Sequence, residues 1–199
     1  MNPLNSVRGV IVGGIVLAII VALVTSGISF NVASLVVWIH VLAGITWIGL
    51  LYYFNFVQVP ALADAAGDEG GPGGAGITKY VAPRALWWFR WGAVVTWLSG
   101  ASYLGHAGWF INAFSLGLNG SGAAGLWIGI GAWLGTIMLF NVWVLIWPNQ
   151  KKILGIVEAS ADEIAAARKT AFIASRTNTL LSFPMLMSMV SMGHGGFFI

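Results

Sequence analysis

Cysteine is absent from this chain, which excludes disulfides, thiolate metal sites and covalent haem attachment of the C-x-x-C-H kind. Charge is almost as scarce. Only 8% of the 199 residues are Asp, Glu, Lys or Arg, against roughly 25% in a soluble domain. Strands of about ten alternating residues are missing too, so a membrane barrel is not indicated. What fills the chain is apolar: 58% of it is hydrophobic, with eleven tryptophans. Several runs approach the ~20 residues that cross a bilayer core, and Trp is enriched at membrane interfaces. The expectation is an all-α, polytopic membrane helical bundle, a single integral membrane domain over residues 1–199 with the lipid bilayer as its partner.

Five spans are read at about 9–29, 33–57, 84–106, 123–147 and 171–193. A tight "SGISFN" turn joins the first two. No signal-peptide cleavage site is evident, so the first helix is expected to be retained. Gly-rich "DAAGDEGGPGGAG" gives a flexible loop, 61–78. Ser160 followed by Glu163 is a capping-box spacing. It predicts a cytoplasmic helical extension, 161–170, running unbroken into the fifth span. With five spans, the nine basic and six acidic residues fall on or near one side of the membrane. The positive-inside rule then puts the N-terminus in the cytoplasm and the C-terminus outside. The same one-sidedness accounts for the net charge of +3 without a nucleic-acid partner. It also separates the acids from the histidines, so no Ser/His/Asp set can be assembled.

Two polar layers follow from the orientation. His40, His106 and His194 all belong to the outer half, His40 being roughly 10 Å in. Imidazole is a common metal ligand and a usual axial ligand of haem iron. Gly44, one turn from His40, leaves room for a flat macrocycle. The competing reading is a histidine that only hydrogen-bonds a neighbouring helix, with Gly44 a packing contact. Near the cytoplasmic side Arg90, Arg176 and Asn141 lie roughly 9 Å deep. Two arginines without an intramembrane carboxylate invite an anion, unless both snorkel to headgroups. Gly125-x3-Gly129 and Gly131-x3-Gly135 allow close helix approach. Met185, Met187, Met189 and Met192 offer thioethers near His194, suited to Cu(I) or simply to apolar filling.

Four stretches, "WIHVLAGITWIG", "WWFRWGAVVTWLSG", "LGTIMLFNVWVLIWPNQKKIL" and "SRTNTLLSFPMLMSM", together resemble the membrane domain of the bacterial membrane-bound urate hydroxylases (the urate oxidase N-terminal family). The resemblance covers about residues 36–194, and N-V-x-x-x-I-x-P-N-Q-x-K, Asn141 to Lys152, is its most specific piece. More distantly the His40 helix is similar to those of haem-containing membrane protoporphyrinogen oxidases and copper-resistance membrane proteins. The chain departs from the family in two respects. It carries no c-type cytochrome domain, and W-F-K-W-E reads W-F-R-W-G, with Gly92 in place of the Glu.

The resemblance implies a bacterial inner-membrane, multi-pass redox protein holding haem b. His40 would be an axial ligand with His106 or His194 opposite, and Arg90 and Arg176 would hold an anionic group. Urate oxidation by the chain alone is not expected without the cytochrome domain, and a redox partner or larger membrane complex is implied. Two alternatives stand beside it: a cofactor-free accessory subunit, and a copper-binding membrane protein using the three histidines.

Overall fold

The computed structural model describes residues 2–26 and 29–196. Every regular element among them is helical, and the chain divides into two units, Met1–Val32 and Ala33–Ile199. In the first, a 3-10 turn at Pro3–Asn5 leads into α1 (Val7–Ser26). The Ser6 hydroxyl accepts from Gly9 N at 3.0 Å and opens that helix. α1 is apolar on every side, with mean hydropathy 2.7 over Val7–Thr25. This is the pattern of a helix that lies in lipid rather than on a core. Gly27 and Ile28 of the expected "SGISFN" turn lie outside the described residues.

In the second unit α2 (Val32–Tyr52) passes through a π-helical segment, Tyr53–Gln58, into α3 (Val59–Gly67). Helix thus continues into the stretch that the Gly-rich composition assigns to a loop. A second π-helical segment, Ile77–Val81, leads into α4 (Ala82–His106), and the short α5 (Phe110–Phe114) follows. α6 (Gly122–Phe140) continues through a third, Asn141–Ile146, into α7 (Trp147–Ile153), and α8 (Ala161–His194) closes the unit.

The three π-helical segments share a cause. Pro60, Pro83 and Pro148 each stand two residues beyond the end of one. Proline lacks the N–H that would bond four residues back, and its ring pushes that carbonyl aside. Widening the preceding turns to the π pattern keeps the helix going without that bond.

Val7–Thr25, Val32–Gly67 and Gly122–Ile153 are long and apolar enough to cross a membrane. α4 and α8 match them in length, with 25 and 34 residues, but are more polar because they line the interior. α4 buries Arg90, Thr96 and Ser99, and α8 buries Asn178, Thr179, Ser182, Ser188 and Ser191. Leu98, Leu180 and Phe183 instead face outward. A bundle solvated by lipid has no hydrophobic drive toward its own centre, so packing and internal hydrogen bonds hold it. The α8 stripe of Ala167, Ala171, Ala174, Asn178, Ser182, Met185 and Ser188 recurs every three or four residues. Its mostly small side chains let α6, α7 and the π segment between them pack against α8.

The glycines of α6 have different neighbours. A Cβ on Gly131 would come within 3.0 Å of Met189 Cε on α8, whereas one on Gly129 would strike the Ala113 carbonyl of α5 and one on Gly135 would meet nothing within 4 Å. Gly129→Ala is therefore expected to destabilise by about 1–3 kcal/mol, and Gly135→Ala to be neutral or favourable by up to about 1 kcal/mol. Unfolding in mixed micelles checks both.

At the start of α8 the capping box is closed. Glu163 N donates to Ser160 Oγ at 3.2 Å and Ser160 N donates to Glu163 Oε2 at 2.9 Å. That backbone bond, and then Lys152 Nζ at 3.3 Å, hold the Glu163 carboxyl below the usual glutamate range. A depressed carboxyl contributes stability above its unfolded pKa and loses it as pH falls through the folded value. Fraying of the first turn, followed by backbone shifts at Ala161–Glu163, should begin only below the ordinary glutamate range. Glu163→Gln should remove that pH dependence, and an unchanged midpoint in the variant would contradict the assignment.

Candidate functional site

His40 lies where α2 crosses α4. Gly92, Thr96 and Gly100 recur every four residues along one face of α4, and that face meets α2. A Cβ on Gly92 would lie 3.3 Å from Trp47 N, and one on Gly100 would lie 2.9 Å from His40 Cε1. His40 Nδ1 is 2.8 Å from the Thr96 carbonyl oxygen. A carbonyl only accepts, so the Nδ1 proton is the donor. Ser99 Oγ, 3.4 Å from Nδ1, already donates to the Val95 and Thr96 carbonyls. The neutral ring then keeps a lone pair on Nε2, which has no protein partner among the described residues.

Gly44 faces Thr96 of α4 without crowding, a Cβ there making one ordinary contact with Thr96 Cγ2 at 3.8 Å. The clearance beside the ring comes from Gly100, which sequence reasoning missed although it closes the "WLSG" motif. His106, the last residue of α4, is exposed and stands ten residues beyond Thr96, about 15 Å of helical rise. His194 is also exposed, and its Nδ1 is 3.2 Å from its own helix's Val190 carbonyl. Among the described residues no three His, Cys, Asp or Glu gather where they could hold a metal ion. Met185 is buried in the core and Met189 packs toward Gly131.

The second layer sits at two of the π-helical segments. Asn141 Nδ2 donates to Asn178 Oδ1 at 2.8 Å, and Asn178 Nδ2 donates to the Met138 carbonyl at 3.0 Å. Asn55 Nδ2 donates to the Leu51 carbonyl and to Ser175 Oγ, both at 2.8 Å, and Tyr52 Oη pairs with Ser182 Oγ at 2.9 Å. These bonds tie the C-terminal end of α2, its π-helical extension and the α6–α7 junction to α8. Of this set, sequence reasoning singled out Asn141 as a candidate. Ser175 and Ser182 carry no separate signal beyond α8's small-residue periodicity.

The two arginines part company. Arg176 is exposed, its guanidinium 5.2 Å over its own helix's Phe172. Arg90 is 8% exposed, with Nε and Nη1 buried. Its Cζ stands 3.2 Å from the Trp147 ring centroid and 5.8 Å from that of Trp143. Buried side-chain atoms without a hydrogen-bond partner are Arg90 Nε and Nη1, Trp143 Nε1, Trp47 Nε1 and Gln58 Oε1. Donors thus outnumber acceptors among the unpaired atoms.

A model of the urate oxidase N-terminal family matches residues 107–198, the family that the sequence motifs resemble. The match takes in α5 through α8, with Asn141, Arg176 and His194, and leaves His40 and Arg90 outside it. No curated protein and no solved structure matches.

Asn178 is fully buried and bonded on both ends of its amide. Asn178→Leu should therefore strand the Asn141 amide and lower stability by roughly 1–3 kcal/mol. Denaturation of the purified variant in mixed micelles measures it, and an unchanged midpoint would contradict the structural role.

Proposed function

We propose that this chain is a membrane-embedded redox subunit, akin to the membrane part of the urate hydroxylases, that holds one b-type haem through His40. The observation that carries this reading is the 2.8 Å hydrogen bond from His40 Nδ1 to the Thr96 carbonyl. Ligating histidines characteristically donate their other ring N–H to such a carbonyl, which orients the ring and keeps the ligating nitrogen unprotonated. His40 thus fits as a single axial ligand. The reading keeps one protein ligand, His106 standing about 15 Å of helical rise beyond Thr96 and His194 being exposed at the end of α8. When bound, the haem would supply one-electron chemistry at its iron. The chain's own part is to hold the tautomer through Thr96 and give the ring clearance at Gly100.

The reading includes five spans, with α4 and α8 crossing alongside the three more apolar stretches. The N-terminus lies in the cytoplasm of a bacterium and the chain in its plasma membrane. A redox partner delivers or removes the electrons.

A second reading has an observation of its own. Gly44 packs toward Thr96 of α4, and in this reading the His40 bond serves only to lock α2 onto α4 in a cofactor-free accessory subunit. Copper held by three histidines lacks comparable support, because no such triple forms among the described residues.

Absorption spectroscopy of the full-length protein, purified in detergent from haem-supplied cells, separates these readings. The haem reading predicts a Soret band that His40→Ala abolishes and His106→Ala leaves in place. A protein that lacks the band in its wild-type form, or keeps it without His40, overturns it.

A further inference from the structure

Arg90 is a buried cation without a counter-ion. Neither its Nε nor its Nη1 finds a hydrogen-bond partner, and the neighbouring Trp143 Nε1 is equally unpaired. Stacking over Trp147 moderates the charge through the ring face but uses none of the guanidinium's in-plane N–H groups. Lys151 Nζ brings a second cation, 6.0 Å from the same ring centroid. The ion pair found among the described residues lies elsewhere, between Lys152 and Glu163.

Two simpler accounts fail. Snorkelling would bring the guanidinium donors to headgroups, and Arg90 keeps both Nε and Nη1 buried. Pairing with an acidic group of something held by His40 requires a shared face of α4. The α2-facing row is Gly92, Thr96 and Gly100, and at 3.6 residues per turn Arg90 lies on nearly the opposite side from Gly92. Arg90 shares its side with Trp97, seven residues on, whose Nε1 donates to Thr136 Oγ1 of α6 at 2.8 Å.

We propose that Arg90 and Trp143 form a binding site for a small organic carboxylate, on the α6–α7 side of α4 and independent of His40. A planar guanidinium matches a carboxylate in shape and donor direction, and the indole N–H adds a third donor. One monovalent anion neutralises the one buried cation, since Lys151 is partly exposed and keeps water around its charge, whereas a phosphate dianion would bring further oxygens to satisfy among the buried donors.

Benzoate is the probe, titrated into the full chain in phosphate-free detergent micelles, with thermal unfolding as the readout. Wild type should show a saturable upward shift in Tm, lost in Arg90→Gln and retained in Arg176→Gln and His40→Ala. Trp143→Phe, which keeps the ring and removes the donor, should bind about tenfold more weakly. If Arg90→Gln does not fold, Arg90→Lys and Trp143→Phe carry the test, both expected to weaken binding. No saturable shift in wild type, or equal binding in these variants, overturns the proposal. A shift with inorganic phosphate and none with benzoate overturns the carboxylate assignment. The Soret test of His40 is read separately, so either result can fail alone.

Discussion

A bundle solvated by lipid must satisfy its polar groups from within, and most of this structure follows from that constraint. Water is not there to accept a stray N–H, so each buried amide, hydroxyl or ring nitrogen has to reach another part of the protein. Asn178 does so in both directions, joining Asn141 to the Met138 carbonyl. Asn55 reaches Ser175, and Tyr52 reaches Ser182. Each of these bonds joins an element to α8, so satisfying the polar groups and holding the bundle together are the same act. The prolines add to the demand and answer it locally, by turning the helix before them into a π segment.

Several places depart from the constraint, Trp47 Nε1 and Gln58 Oε1 among them, and the two functional proposals rest on two others. At His40 one ring nitrogen is satisfied by Thr96 and the other is left with a bare lone pair. At Arg90 and Trp143 three donors remain with no acceptor. The departures are opposite in kind, a free acceptor on one face of α4 and free donors on the other. They call for different ligands, an electron-pair acceptor such as iron in the first case and an oxyanion in the second. Since α4 presents them on different faces, one element can serve both without bringing the ligands together.

Much of the fold was legible in the sequence, because continuous apolar runs and scarce charge leave few alternatives to an all-α membrane bundle. The polar layers were legible as depth along a helix, but depth carries no information about azimuth. Arg90 and Arg176 looked equivalent by depth, yet α8 turns Arg176 outward while α4 turns Arg90 onto Trp147. His40, His106 and His194 shared a side for the same reason without sharing a site. Gly44 was the glycine nearest His40 in sequence, whereas the space beside the ring belongs to Gly100, sixty residues away on another helix. The π segments escaped notice because a proline in an apolar run ordinarily reads as a stop or a kink. Here it reshapes the turns before it, and helix persists beyond residue 61.

The tautomer of His40 is the most direct measure of whether the bond to Thr96 prepares the ring to bind. Nitrogen-15 NMR of selectively labelled protein in micelles, without added haem, reads it ring by ring. A protonated Nδ1 and a bare, pyridine-like Nε2, with the Nδ1 proton protected from exchange, are the predicted result. A proton on Nε2, or rapid averaging of the two nitrogens, would contradict the account.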